Sequence, residues 1–195
     1  MGTKHTSGPS KRARATAAAS AMLPLLITAL ATLYECDDIT PQPTVQVGKY
    51  YALRGTHIPY TTAHVVPNIT VSWADAEPTK FYAVAMVDPD APSPKTPKLR
   101  EIRHWLVGNI RGDALATGDF SGGEVLSAFR NPSPPQGSGY HRYVQLIFLQ
   151  NEKRVSWLPL PTSIAKWNVT NWAAVEQLHA PVACNYFETE YGSKR

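Results

Sequence analysis

Asp88-Pro89-Asp90-Ala91-Pro92 follows directly on seven consecutive apolar residues, Phe81 to Val87. A carboxylate at the end of a buried strand has few water contacts and needs donors or a cation beside it. The alternating prolines fix φ and remove amide donors, which stiffens the backbone around both acids. A second segment, Gly137-Ser138-Gly139-Tyr140-His141-Arg142-Tyr143, leads into another apolar run. Its glycines let the chain turn and expose amides to an anion. If a strand begins there, alternation puts His141 and Tyr143 on one side and Arg142 on the other. That offers an imidazole and a phenol to a pocket and leaves Arg142 to pair with a carboxylate, for which Asp90 is the expected partner. His104 opens a third apolar run, where a titratable group is unexpected. Of the six histidines, only His104 and His141 stand at the mouths of apolar strands. Taken singly, each segment also reads as a proline turn or a hairpin loop with a structural histidine. Together with Asp88 they predict a single pocket.

Other chemistries lack their signals. There is no Gly-x-Ser-x-Gly elbow, P-loop, Gly-x-Gly-x-x-Gly, His-Glu-x-x-His or Cys-x-x-Cys, so neither a metal nor any other cofactor is expected. An Asp/His/Ser grouping can be assembled from Asp88, His104 or His141, and Ser138. Nothing in the sequence signals an oxyanion hole or an activated serine beside it, so no catalytic residue is assigned and a hydrolase is the weakest reading.

The elements that must position these residues are β-rich. Seventeen prolines spread over 195 residues argue against a bundle of long helices. With 43% hydrophobic and 17% charged residues, most of the chain should fold. Short strands are expected at Thr44 to Val47, Tyr50 to Leu53 and Asn68 to Trp73. Buried strands are expected at Phe81 to Val87, His104 to Ile110 and Tyr143 to Leu149, with a last strand at Ala183 to Phe187. Two proline- or glycine-dense loops, Asp88 to Arg103 and Asn131 to Arg142, are long enough to be functional. One short helix, capped by Asn171, is expected to run to His179 before Pro181.

The net charge of +4 belongs to the first 31 residues, which carry Lys4, Lys11, Arg12 and Arg14 and no acid. Beyond them acids and bases balance, which removes the main support for a nucleic-acid partner. Residues 1–31 read as a leader, with a basic start, an apolar run interrupted by Pro24, and a small-x-small site at Ala29-Leu30-Ala31. Residues 32–195 are then a single domain. A secreted protein is expected, with a retained signal anchor or a mitochondrial presequence as alternatives. Asn68-Ile69-Thr70 and Asn168-Val169-Thr170 are N-glycosylation acceptors. Cys36 and Cys184 either pair, closing a loop of about 150 residues, or remain as two buried thiols.

The motifs coincide with those of a known family. Asp88-Pro89-Asp90-Ala91-Pro92-Ser93, His104-Trp105-Leu106-Val107, Pro134-Pro135-Gln136-Gly137-Ser138-Gly139 and Tyr140-His141-Arg142-Tyr143 resemble the phosphatidylethanolamine-binding proteins, also called Raf kinase inhibitor proteins. The similarity extends over roughly residues 40–191, through Trp172-Ala173-Ala174-Val175 and Pro181 to Phe187. The fold it implies is mainly β: a large, antiparallel-rich central sheet packed on a smaller one, with a few short helices. The pocket it implies is formed by Asp88, His104, Ser133, Pro135, His141 and Tyr143, with Asp90 and Arg142 in support. Its implied ligand is phosphatidylethanolamine or another phosphate-bearing small molecule, with at most peripheral membrane contact. The resemblance also raises protein partners, a serine protease or a signalling kinase. Leu99, Ile102, Arg103, Ser133 and Asn131-Pro132 depart from the pattern of animal cytosolic members, so the rim is altered where the floor is kept.

Overall fold

The three longest apolar runs become the centre of one sheet. In the computed structural model, which describes Gly2 and residues 36–39, 41–150 and 154–194, they form β-strands buried along nearly their whole length. The expected leader and its cleavage site lie outside the described residues, Gly2 apart. In chain order the strands are β1 (Thr44–Val47), β2 (Tyr50–Ala52), β3 (Thr56–His57), β4 (Thr70–Ser72), β5 (Phe81–Asp88), β6 (Ile102–Arg111), β7 (Glu124–Ser127), β8 (His141–Leu149) and β9 (Ala183–Thr189). The helices are short: α1 (Tyr60–Ala63), α2 (Gly112–Thr117) and α3 (Val169–Val175). A six-stranded sheet has the order β3-β9-β8-β5-β6-β7, and a three-stranded sheet the order β2-β1-β4. All pairings are antiparallel except β3 with β9. The class is mainly β, as the sequence indicates.

Both faces of the large sheet are covered, which is why its central strands are apolar without alternation. Val84, Met86, Val107 and Tyr143 pack with Val45 and Val71 of the small sheet. On the other face Ala85, Val87, Leu106 and Val144 pack with Trp167 and Trp172. Buried Asn185 of β9 donates to the carbonyls of Pro43 and Ala52 at 2.9 Å each, tying the small sheet to the large one. Cys36 and Cys184 are joined by a disulfide, with Cα atoms 5.4 Å apart, so the two-thiol alternative does not hold.

The late helix differs from its expected span. It begins at Val169, two residues before Asn171, because Asn168 is the cap: its Oδ1 accepts the Asn171 N–H at 2.6 Å. The buried Glu101 carboxylate accepts the Val169 N–H at 2.8 Å, a long-range contact invisible to local pattern. Gln177 takes a left-handed φ of 59° and excludes any extension to His179. Among the described residues no helix is long and apolar enough to cross a membrane.

Candidate functional site

Antiparallel pairing explains why one pocket forms. The end of β5 lies beside the beginnings of both β6 and β8: Asp88 pairs with Ile102, and Val87 with both Arg103 and Val144. Asp88, His104 and His141 therefore reach the same edge of the sheet. They line a cavity of about 630 Å³ together with Ser133 and Pro135 of the proline loop. Ala91, Pro92, Leu99, Ile102 and Ile164 give it an apolar rim, and His64 and Arg130 add two basic groups.

The Asp88 carboxylate is fixed from two sides. Its Oδ1 accepts the Asp90 N–H at 2.7 Å, a side chain bonding its own backbone two residues on, and its Oδ2 faces His141 Nδ1 at 2.8 Å. The other ring nitrogen, Nε2, lies 2.9 Å from Ser138 Oγ, and that hydroxyl donates to the Pro135 carbonyl at 2.7 Å. A serine hydroxyl has one proton to give. With it spent on Pro135, Ser138 accepts from His141 Nε2–H, and Nδ1–H is left to donate to Asp88. Both His141 ring nitrogens are thereby engaged, Nδ1 by Asp88 and Nε2 by Ser138. The order Asp, His, Ser is that of a hydrolytic triad, but the last hydrogen bond runs the opposite way from that of an activated serine.

His104 is held differently. Its Nδ1–H donates to the Arg130 carbonyl at 2.9 Å, and Arg130 N–H returns a bond to the His104 carbonyl at 2.8 Å. That fixes the tautomer and leaves Nε2 as an acceptor on the cavity side. Burial holds the His104 pKa below the usual imidazole value, against the opposing effects of the Arg130 carbonyl and the Asp88 charge. His104 is thus the neutral imidazole of the site.

Asp90 and Arg142 sit behind this floor. Arg142 Nε and Nη2 each reach one Asp90 oxygen at 2.8 Å, and its backbone N–H adds a third bond at 3.0 Å. Burial alone would raise the Asp90 carboxyl. The Arg142 fork outweighs it and holds the group below the ordinary carboxylate range.

Tyr143 departs from its expected place. It shares the His141 side of the strand but does not line the cavity: it is wholly buried, edge-on to His104 at 5.1 Å and stacked on Phe187 at 5.4 Å. Burial, then the Asp88 charge, push its hydroxyl well above the usual range, with the Ser133 backbone opposing. It supports the His104 ring from behind, where a ligand contact was expected.

Sequence reasoning missed His64 and Arg130. His64 follows α1, stacks on Tyr60 and places Nδ1 3.0 Å from both the Pro132 carbonyl and Ser133 Oγ. Its contacts span more than sixty residues of chain, so no local signal could have found it. Arg130 has one such signal, its place one residue before the proline loop. Among the described residues no three His, Cys, Asp or Glu side chains cluster as a metal site.

Known proteins share this arrangement of strands. The fold is similar to the phosphatidylethanolamine-binding protein from Plasmodium vivax, at 24% identity and a TM-score of 0.63 over 78% of this chain and 86% of that one. It is similar to CG7054, solved in solution, at 31% identity and a TM-score of 0.60 over 79% and 88% of the two chains. It is also similar to a carboxypeptidase Y inhibitor, solved in complex with its cognate proteinase, at 22% identity and a TM-score of 0.62 over 77% and 84%. Residues 39–187 match the phosphatidylethanolamine-binding proteins as a family. A span that holds both strand-end motifs and nearly every described element makes this chain a member of the phosphatidylethanolamine-binding protein family, with a binding function.

Proposed function

We propose that the cavity takes a small phosphate-bearing ligand, with the phosphoethanolamine head group of phosphatidylethanolamine the leading candidate, and that the protein binds it without turnover. One observation carries this reading: the cavity sets a guanidinium, Arg130, that makes no ion pair among the described residues beside a buried carboxylate, Asp88. A zwitterionic head group finds a partner for each of its charges there. His104 Nε2 accepts from the ammonium or from a protonated phosphate oxygen, and the apolar rim suits the first methylenes of a lipid. The direction of the Ser138 hydrogen bond argues against a nucleophile at this site.

Calorimetric titration of phosphorylethanolamine tests it. Binding to the wild type is expected to fall at least tenfold in Asp88→Asn and in Arg130→Gln. Equal affinity in all three proteins overturns the assignment.

The same proposal places the protein outside the cytosol. The leader-like residues 1–31, the Cys36–Cys184 bond and the exposed acceptors Asn68 and Asn168 support it. Mass spectrometry of the protein from its natural source reads leader cleavage and both glycans directly.

A second reading, inhibition of a serine protease, rests on the fold shared with the carboxypeptidase Y inhibitor. A panel of serine proteases at micromolar protein decides it. A role on a signalling kinase fits an oxidising compartment less well.

A further inference from the structure

β6 carries a second cation that its surroundings leave unmatched. Arg103 is only 4% exposed. Its Nε donates to Ser127 Oγ at 3.1 Å and its Nη2 to the Pro161 carbonyl at 3.0 Å, while Nη1 is buried without a hydrogen-bond partner. The Trp167 ring centroid lies 5.2 Å from the guanidinium carbon. Among the described residues no carboxylate stands within ion-pair distance of it. A buried charge in this state carries a desolvation penalty that two neutral hydrogen bonds and one ring face offset only in part. Burial, joined by the charge of Arg130, draws the Arg103 pKa below the usual guanidinium range.

The two arginines share a wall. Arg103 and Arg130 both line a second cavity of about 450 Å³, between β7 and residues 157–164, together with Ser127 and Trp157. Glu124 is the one acid on that wall; its Oε2 accepts from Asn109 Nδ2 at 3.1 Å, and it pairs with neither arginine. Two guanidinium groups on one wall, neither paired with its single acid and one with Nη1 unspent, suit a planar or tetrahedral oxyanion.

We infer that this second cavity is an oxyanion site, separate from the Asp88 cavity, in which Arg103 and Arg130 hold the phosphate or carboxylate group of a small ligand. Arg130 and Ile164 border both cavities, so the two sites stand back to back across these two side chains.

The test is a titration of the full chain with inorganic phosphate, and separately with acetate, followed by proton–nitrogen NMR of the arginine Nε–H and tryptophan indole groups. The Arg103 Nε–H and the Trp157 indole are expected to shift and saturate with at least one ion, and the stronger ion identifies the ligand group. Both shifts should persist in Asp88→Asn, which alters only the first cavity, and that of the Trp157 indole should vanish in Arg103→Met. Arg130→Gln, an exposed change, should weaken them about tenfold. A thermal melt gives an independent reading: the ion that binds raises the wild-type midpoint by clearly more than it raises that of Arg103→Met, in which only the first cavity is left. No shift, a shift that never saturates, or one unchanged in both arginine variants overturns the inference. Loss of phosphorylethanolamine binding with these shifts intact would count against the first cavity alone.

Discussion

The Asp88 carboxylate and the His141 imidazole meet at 2.8 Å, with both side chains almost entirely out of water. A pair in that setting contributes little beyond what an apolar substitute would, but loses heavily when one partner is removed alone. His141→Ala should therefore destabilise the fold by about 3 kcal/mol or more, read from denaturant unfolding, while Asp88→Asn should cost less because a hydrogen bond survives. A loss in His141→Ala well under 1 kcal/mol (roughly what a surface pair gives) would mean that the two groups are not held together in solution.

Ser138 is expected to be inert toward serine-directed reagents. Its proton points to Pro135 and its oxygen accepts from His141. A fluorophosphonate probe should leave it unlabelled at neutral pH. Labelling that disappears in His141→Ala would reverse the hydrogen-bond direction assigned here and reopen hydrolysis.

Asp90 predicts the acid limb of the stability profile. Its folded pKa lies below the ordinary 3.8, so between those two values the unfolded chain binds more protons than the folded one. Stability from the Arg142 fork is thus complete above the unfolded value and is lost as pH falls through the folded value. Asp90→Asn should lower stability at neutral pH and flatten the profile below pH 4 (about the ordinary carboxylate value) in denaturation series. A parallel loss at every pH would place the contribution in packing instead of charge.

Gly112 joins β6 to α2 where no side chain fits. A Cβ there would lie 1.9 Å from the Glu77 carbonyl oxygen and 3.2 Å from the Tyr82 ring. Because the first neighbour is backbone, the strand end itself must move, and Gly112→Ala should cost about 2–3 kcal/mol. Gly122→Ala, which meets nothing within 4 Å, is the control and should be near neutral.

Where the sequence was readable, a physical constraint acted locally. The shortness of Phe81 to Val87 and its stop at Asp88-Pro89 favour a strand buried on both faces over a helix, and the alternation at His141 puts Arg142 on the side where Asp90 waits. The places it misread depend on distant partners. β7 carries Glu124 and exposed Val125 and so has no strand pattern of its own; it is a strand because β6 offers it an edge. The start of α3 is fixed by Glu101, and His64 reaches the cavity through Pro132 and Ser133. Tyr143 had the right parity, but parity along a strand says nothing of depth, and His104 stands between it and the opening. Arg103 departs from the pattern of its family, and only the fold shows what surrounds it: among the described residues no carboxylate pairs with it, and its Nη1 has no hydrogen-bond partner.

The Cys36–Cys184 bond ties together positions 148 residues apart. Nearly everything between them, including the exposed stretch Pro94 to Thr96, is then part of one covalent ring. A single proteolytic cut inside that ring opens it without releasing a fragment, so nicked and intact protein should co-migrate until a reductant is added. A protein built this way can be clipped in a protease-rich setting and still keep its sheets in one molecule.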